Sequence, residues 1–391
     1  MLSSVAHVSF SSSGGAGAVA AVLSEEQRRQ GRVSRVHSVI SGNLRAKPLS
    51  SPVHTVAAAM DHYLVKEPSF GSPISLFRDA VKTPLAHELS SYDIIHLHGI
   101  NGALDLESLG GRATPKRVVW TLHDMNAFTG TCHYSLGCRN FETSCSECPA
   151  VRSAWKTRVE NRLAQKIEAI AKIPHLSVVA PSTWLAEQAS RSPALAALPL
   201  SVIPNPVNPV LTSEPSARER QDDVFRVVVV AQNLEDPVKS VHTAVEAFRE
   251  VFSTSAKAEL ILVGRNGDQW ASHYVSPTGP LSPGELRDLL HRSDVLLVPS
   301  LAENAPLVIA EAAACGVASI VRDVGGMAEM VTTLGVGDSF SDPRELDLLL
   351  RAQFQMDSPT RASRRTVIMD KALQAYGVGS VVAAYDKVYG G

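Results

Sequence analysis

The sequence predicts an α/β protein made of two parallel sheets, each with helices on its faces. Three observations carry this. Short apolar runs alternate with amphipathic stretches through both halves of the chain, the pattern of strands joined by crossover helices. Between the halves, Pro204-Asn205-Pro206-Val207-Asn208-Pro209 and the polar stretch from Thr212 to Asp223 have the proline-rich, charged composition of a linker. At 391 residues the chain also exceeds what one hydrophobic core usually serves.

In chain order, the first half offers strands at Ala6 to Phe10, Ile94 to Leu97, Arg117 to Thr121 and Ser177 to Ala180. A helix after the first is marked by Val19, Ala20, Val22 and Leu23. Ser41 to Leu76 has scattered prolines and no clear period. From Arg152 to Lys172, Trp155, Val159, Leu163, Ile167 and Ile170 form an apolar helical stripe, with Arg158, Arg162 and Lys166 recurring every fourth residue on another face. A solvated face over a buried stripe is the reading favoured there; peripheral attachment to anionic lipid is the alternative. The second half offers strands at Arg226 to Ala231, Glu259 to Val263, Val295 to Val298 and Ala318 to Val321, then an apolar helical tail from Arg364 to Tyr389. The hinge falls near residues 204 to 224, which divides the chain into residues 1–204 and 205–370, followed by a final helix over about 371–391.

Hydrophobic residues at 45% and charged residues at 19% describe a globular chain able to bury sizeable cores. No apolar stretch reaches the roughly 18 residues that span a bilayer, and Met1 to Phe10 lacks the pattern of a signal peptide. Cytoplasmic residence is the expectation. The net charge of −2 is unevenly spread: the first 200 residues carry 20 basic and 15 acidic side chains, the remainder 17 and 24. Such a small excess leaves an anionic acceptor or membrane face open, and no basic stripe with interleaved aromatics points to nucleic acid.

The most informative segment runs from Pro299 to Glu311, directly after an apolar strand. It places Glu303 on a loop and Glu311 about two turns into a helix. Ligands of open parallel sheets bind at that end of the strands, where helix amino termini offer free N–H groups. Carboxylates there accept from sugar hydroxyls, while the amides of Asn304, Ala305 and Leu307 can donate to phosphate. A nucleotide sugar meets both demands. Near the start, Gly14-Gly15-Ala16-Gly17 follows a strand and opens a helix, a weak phosphate-loop signal that a ligand-free tight turn would also produce.

Four of the five cysteines, Cys132, Cys138, Cys145 and Cys148, crowd into seventeen positions with His133 among them. In a reducing compartment the cluster suggests a structural zinc, with paired disulfides or free thiols as alternatives. Cys315 reads as a small packed residue.

The Glu303-x7-Glu311 spacing, with the Ala312–Ala318 segment and Asp323-Val324-Gly325-Gly326 after it, resembles the signature of the retaining glycosyltransferases of family four. Val119-Trp120-Thr121-Leu122-His123-Asp124-Met125, Phe128-Thr129-Gly130, Val202-Ile203-Pro204-Asn205-Pro206 and Gly14-Gly15 fall in that family's order, so the resemblance covers most of the chain. It implies the GT-B fold, two Rossmann-like domains facing a cleft, with the tail crossing back onto the first domain. It implies that His123 contacts the transferred sugar, that His98 and Gly99 lie near the cleft, and that Gly14 and Gly15 neighbour the donor phosphates. Lys239 stands where the family neutralises the leaving diphosphate, but Asn233 occupies the place of an expected arginine, so that either another cation, Arg265, compensates or donor binding is weaker. Pro306 replaces a common glycine and has no amide to offer. Glu303 would hold the donor sugar and Glu311 the ribose.

The implied activity is transfer, with retained configuration, from a UDP- or GDP-linked sugar to a saccharide, lipid-linked saccharide or small-molecule acceptor, without a catalytic cofactor or metal. A nucleotide-sugar epimerase or phosphorylase on the same architecture, and a non-catalytic metal-stapled binding protein, are the competing classes. An epimerase would convert donor without acceptor; a binding protein would not turn it over.

Overall fold

The computed structural model describes residues 3–12, 14–40, 50–80, 89–110, 117–214 and 222–390. Ser13 of the glycine-rich segment, residues 41–49 of the aperiodic stretch, residues 215–221 of the linker and the terminal residues 1, 2 and 391 lie outside the described residues. The chain forms two compact units, residues 1–204 with 381–391, and residues 205–380.

The first unit is built on a six-stranded sheet of β1 (Val5–Ser11), β2 (Ser34–Ile40), β3 (Ile94–Leu97), β4 (Arg117–Thr121), β5 (Leu176–Ala180) and β6 (Leu200–Val202). All its pairings are parallel, in the order β2-β1-β3-β4-β5-β6. The second unit has β7 (Phe225–Asn233), β8 (Ala258–Arg265), β9 (Val275–Gly279), β10 (Val295–Val298), β11 (Ala318–Arg322) and β12 (Gly337–Phe340), again all parallel, in the order β12-β11-β10-β7-β8-β9. Parallel strands need helical crossovers that bury both faces, and the central strands are accordingly almost wholly apolar and buried.

The four strands that the sequence does not single out, β2, β6, β9 and β12, are the four sheet edges. Edge strands are covered less completely and so lack the continuous apolar run that marks a buried strand. In β6, for example, Ser201 and Val202 are both exposed.

Local chemistry fixes the helix starts. Pro283–His291 begins with a reciprocal capping box between Ser282 and Glu285, and Pro343–Gln355 with one between Asp342 and Glu345, each with proline in the first turn. Lys156–Ala171 packs Val159, Leu163 and Ile170 into the first core. Its basic stripe keeps the expected solvated face at Arg158, which is exposed, and departs from it toward Lys166. Lys166 is buried, with Nζ 2.9 Å from Asp79 Oδ2 and donating to the carbonyls of Asn126 and Thr129. Arg162 donates to the Asp79 carbonyl, and Arg158 stacks over Phe77. A buried cation needs such partners; with them, the helix presents no continuous free cationic face to lipid. No described helix is long and apolar enough to cross a membrane.

In each sheet the chain leaves the first strand to opposite sides, which makes the carboxyl ends of β1 and β3, and of β7 and β10, topological switch points. The candidate residues gather there.

Candidate active site

In the second unit, the loop after β7 carries Lys239 at the end of a short 3-10 turn, Pro237–Lys239, capped by the Asp236 side chain. The loop after β10 carries Glu303. The Leu301 amide donates to the Val238 carbonyl at 2.7 Å and ties the two loops together, and the Lys239 ammonium donates to Glu303 Oε1. Thus the cation expected at a diphosphate and the acid expected at a sugar are partners. Glu303 is buried and Lys239 about a quarter exposed.

The helix Leu307–Ala314 starts after Pro306, which supplies neither an N–H nor a side-chain cap. Proline at that place leaves the first helical amides unopposed by a capping side chain. Because the helix starts at Leu307, Glu311 lies just over one turn in rather than two. Its carboxylate makes no hydrogen bond to protein among the described residues, and burial pushes its pKa up to about 7. Asn304 is buried, and the Ala305 carbonyl accepts from Asn205 Nδ2 at 3.1 Å, so the Pro-Asn-Pro motif braces this loop.

Asn233 and Arg265 are paired neighbours on β7 and β8. The Asn233 carboxamide oxygen accepts from Asn266 Nδ2 and the Glu235 amide, which occupies it locally. Arg265 is exposed and donates through Nε to the Gln232 carbonyl, so a cation does stand beside the position where the expected arginine is missing.

In the first unit, the helix Gly14–Arg29 opens at the end of β1 with Gly14 at φ +79°. Gly15 faces open space, whereas a Cβ at Gly17 would lie 2.2 Å from the Ser11 carbonyl oxygen. The third glycine is therefore there for close helix-to-strand packing. His123 follows β4, half-buried, with Nε2 3.1 Å from His98 Nδ1. Burial lowers its pKa to about 4, against the opposing pull of Asp124. Asp124 does not orient the His123 ring: it pairs with His133 at 2.6 Å and accepts from the Asn126 amide.

Behind His123 lies a group of which the sequence singles out only His98. His7 on β1 and His96 on β3 are cross-strand partners, and the His98 ring lies tilted against that of His96, their centres 4.2 Å apart. All three are buried, with ring nitrogens within 4.8 Å of one another. His7 also reaches Gln27 at 2.9 Å, and His96 reaches Tyr389 and Thr121 at 2.7 Å each. These partners come from opposite ends of the chain, so no local spacing can announce them.

All five cysteines are free thiols. Cys132 and Cys148 are hydrogen-bonded to each other, which raises Cys132 and lowers Cys148. Cys138 accepts from the Asn140 amide, Cys145 from the Gly130 amide, and Cys148 from those of Ala150 and Val151. Among the described residues no three of the cysteine sulfurs converge within 4.8 Å, as the three histidines do.

Comparison with known proteins decides the class. Residues 225–347, which hold all six strands of the second sheet, match the model of the glycosyl transferases group 1 family. This is a glycosyltransferase. A putative colanic acid biosynthesis glycosyl transferase, WcaC of Escherichia coli, is 23% identical over 279 residues, 70% of this chain and 68% of that one. Among solved structures, HepE of Anabaena in complex with UDP-glucose is 16% identical, covers 100% of both chains and has a TM-score of 0.65. WaaG, a glycosyltransferase involved in lipopolysaccharide biosynthesis, is 16% identical, with 99% and 100% coverage and a TM-score of 0.66. The glycosyltransferase thus has the two-sheet GT-B fold of these proteins.

Proposed function

We propose that the protein transfers a sugar, with retained configuration and without a catalytic metal, from a nucleotide-sugar donor to a saccharide, lipid-linked saccharide or small-molecule acceptor. The observation that carries this is the Lys239–Glu303 pair at the β7/β10 switch point, beside the helix that presents Glu311. In this reading residues 205–370 bind the donor and residues 1–204 serve the acceptor. Lys239, Arg265 and the amides of Ala305 and Leu307 take the diphosphate, whose developing charge they stabilise electrostatically. Asn233 and Asn304 line that site, and the start of the helix at Gly14 and Gly15 adds donors. Glu311 accepts from the ribose hydroxyls, Glu303 from those of the sugar, and His123 contacts the sugar that moves. A leaving phosphate oxygen takes the acceptor proton, so no dedicated base is needed.

UDP-linked sugars are the first donors to try, because HepE was solved with UDP-glucose; polysaccharide or glycoconjugate assembly is the setting suggested by the WcaC likeness. Thermal stabilisation by a panel of nucleoside diphosphates and nucleotide sugars, with Glu311→Ala alongside, tests the donor site. One base that stabilises the wild type and not the variant supports it; no stabilisation by any overturns it. Retention is read from the anomeric proton of the product.

The cysteine cluster is proposed to hold a structural zinc. The main-chain N–H groups aimed at Cys138, Cys145 and Cys148 suit thiolates. The sulfurs would have to draw together to complete a tetrahedral site.

A further inference from the structure

Every ring nitrogen of His7, His96 and His98 is already in a hydrogen bond. His7 uses Nδ1 toward His98 at 3.0 Å and Nε2 toward Gln27 at 2.9 Å. His98 uses Nε2 toward His7 and Nδ1 toward His123, and His96 bridges Tyr389 and Thr121. A cation at the three-histidine group would have to take one nitrogen of each ring out of these buried bonds, which is costly. The arrangement is a hydrogen-bonded chain rather than a metal site.

A chain of neutral imidazoles has a direction, because each ring donates from one nitrogen and accepts at the other. The direction is set at Gln27. Tyr389 lies between His96 Nδ1, at 2.7 Å, and Gln27 Nε2, at 3.3 Å. A phenol is the better donor toward an imidazole nitrogen, so its lone pair accepts from the Gln27 amide. The Gln27 carboxamide oxygen is then the acceptor for Ser34 Oγ, at 2.8 Å, and for His7. His7 therefore carries its proton on Nε2 and accepts at Nδ1 from His98 Nε2–H. His98 in turn accepts at Nδ1 from His123 Nε2–H. At the end of the chain His123 Nδ1 is unprotonated, and no protein group among the described residues bonds it.

We propose that Gln27, acting through His7 and His98, locks His123 in the Nε2–H tautomer, so that Nδ1 is left as an acceptor for a hydroxyl of the bound sugar. These are positioning residues: none of the three touches the sugar. The inference rests on the reading of His123 as a sugar contact. With the reverse polarity His123 would carry its proton on Nδ1 and would instead present a donor. The two cases select different hydroxyl geometries, so the relay bears on which sugar is accepted.

Ring nitrogens labelled with 15N report tautomers directly, and His123→Asn assigns the signal. Wild type is expected to show a protonated Nε2 and an unprotonated Nδ1 at His123. In His98→Leu and Gln27→Met, the Nδ1–H form should appear, with a fall of about tenfold in kcat, the scale of one hydrogen bond. Nucleoside diphosphate affinity should stay unchanged. His98→Gln should restore both tautomer and rate, because a carboxamide can accept from His123 and donate to His7 across a similar span. A wild-type His123 protonated on Nδ1, or a tautomer indifferent to both substitutions, overturns the proposal, and the wild-type spectrum decides even where a variant fails to fold. Full activity of His123→Asn would instead overturn the sugar-contact reading while leaving the relay as a structural fact.

Discussion

The carbonyl oxygen of Glu303 occupies the space where a side chain on Gly325 would begin: a Cβ there would lie 1.7 Å from it. Gly325 also has φ +61°, a conformation that disfavours other residues. The glycine after β11 thus sets the height of the loop after β10, and through it the carboxylate that meets Lys239. Gly325→Ala is expected to displace Glu303 and cost at least tenfold in kcat/KM, as misplacement of a reacting contact does, while the far-ultraviolet spectrum of the folded protein persists. Near wild-type turnover would mean that the Glu303 loop tolerates the shift.

Lys239→Ala removes the charge that opposes the leaving diphosphate. A loss of about 100-fold to 1,000-fold in kcat is expected, the scale measured when one such electrostatic donor is deleted. Glu303→Gln breaks the same pair from the other side. If both residues serve one bound donor, the double variant should be less impaired than the product of the single effects. Fully multiplicative effects in steady-state kinetics would count against a shared role.

Glu311 has its pKa raised to about 7 by burial, so near neutrality the free protein is a mixture of the acid and the carboxylate. Only the carboxylate accepts from both ribose hydroxyls. Nucleotide affinity should therefore weaken as pH falls below about 7, with one proton taken up per site on release, and Glu311→Gln should abolish that dependence. Isothermal titration from pH 5.5 to 8.5 checks it. The stability sign is the reverse. A carboxyl raised in the fold stabilises at low pH, and its contribution disappears as pH rises through about 7.

His7 and His123, each lowered to about 4 by burial, act in the opposite direction. Their folded values lie below the unfolded 6.5, so the stability they contribute is complete above 6.5 and is lost as pH falls toward 4. The slope is on the order of 1.4 kcal/mol per pH unit for each ring. His96 and His98, also lowered well below the ordinary value by burial, act in the same direction. Arg32 and His37 face His7 with like charge, whereas Asp124 favours the His123 cation. Thermal melts between pH 4 and 7 should show Tm falling with acid, and His7→Gln should flatten the curve.

If the cysteine cluster holds zinc, native mass spectrometry of protein purified with zinc should find one ion per chain. Cys145→Ser should lose it and lower Tm, with nucleotide affinity intact. Metal-free protein of unchanged stability would leave the cluster as packed thiols.

Much of the architecture can be read from residue order, because its signals are local. Buried parallel strands are apolar runs, glycine and proline punctuate the turns, and Glu303-x7-Glu311 counts out a loop and a helix turn. Edges escape that reading because what marks them is incomplete cover, which depends on neighbours. Lys166 of the basic stripe misleads for the same reason: only folding brings Asp79 and the Asn126 carbonyl to it. By itself, then, the sequence determined two parallel α/β sheets and singled out Lys239, Glu303, Glu311 and His123 as candidates. Tertiary structure alone decided that Lys239 and Glu303 are partners, that Gly325 supports the Glu303 loop, and that Gln27 stands behind His123 through two other histidines. Those relationships join positions tens of residues apart, and their energies depend on burial and hydrogen-bond direction, which no spacing along the chain encodes.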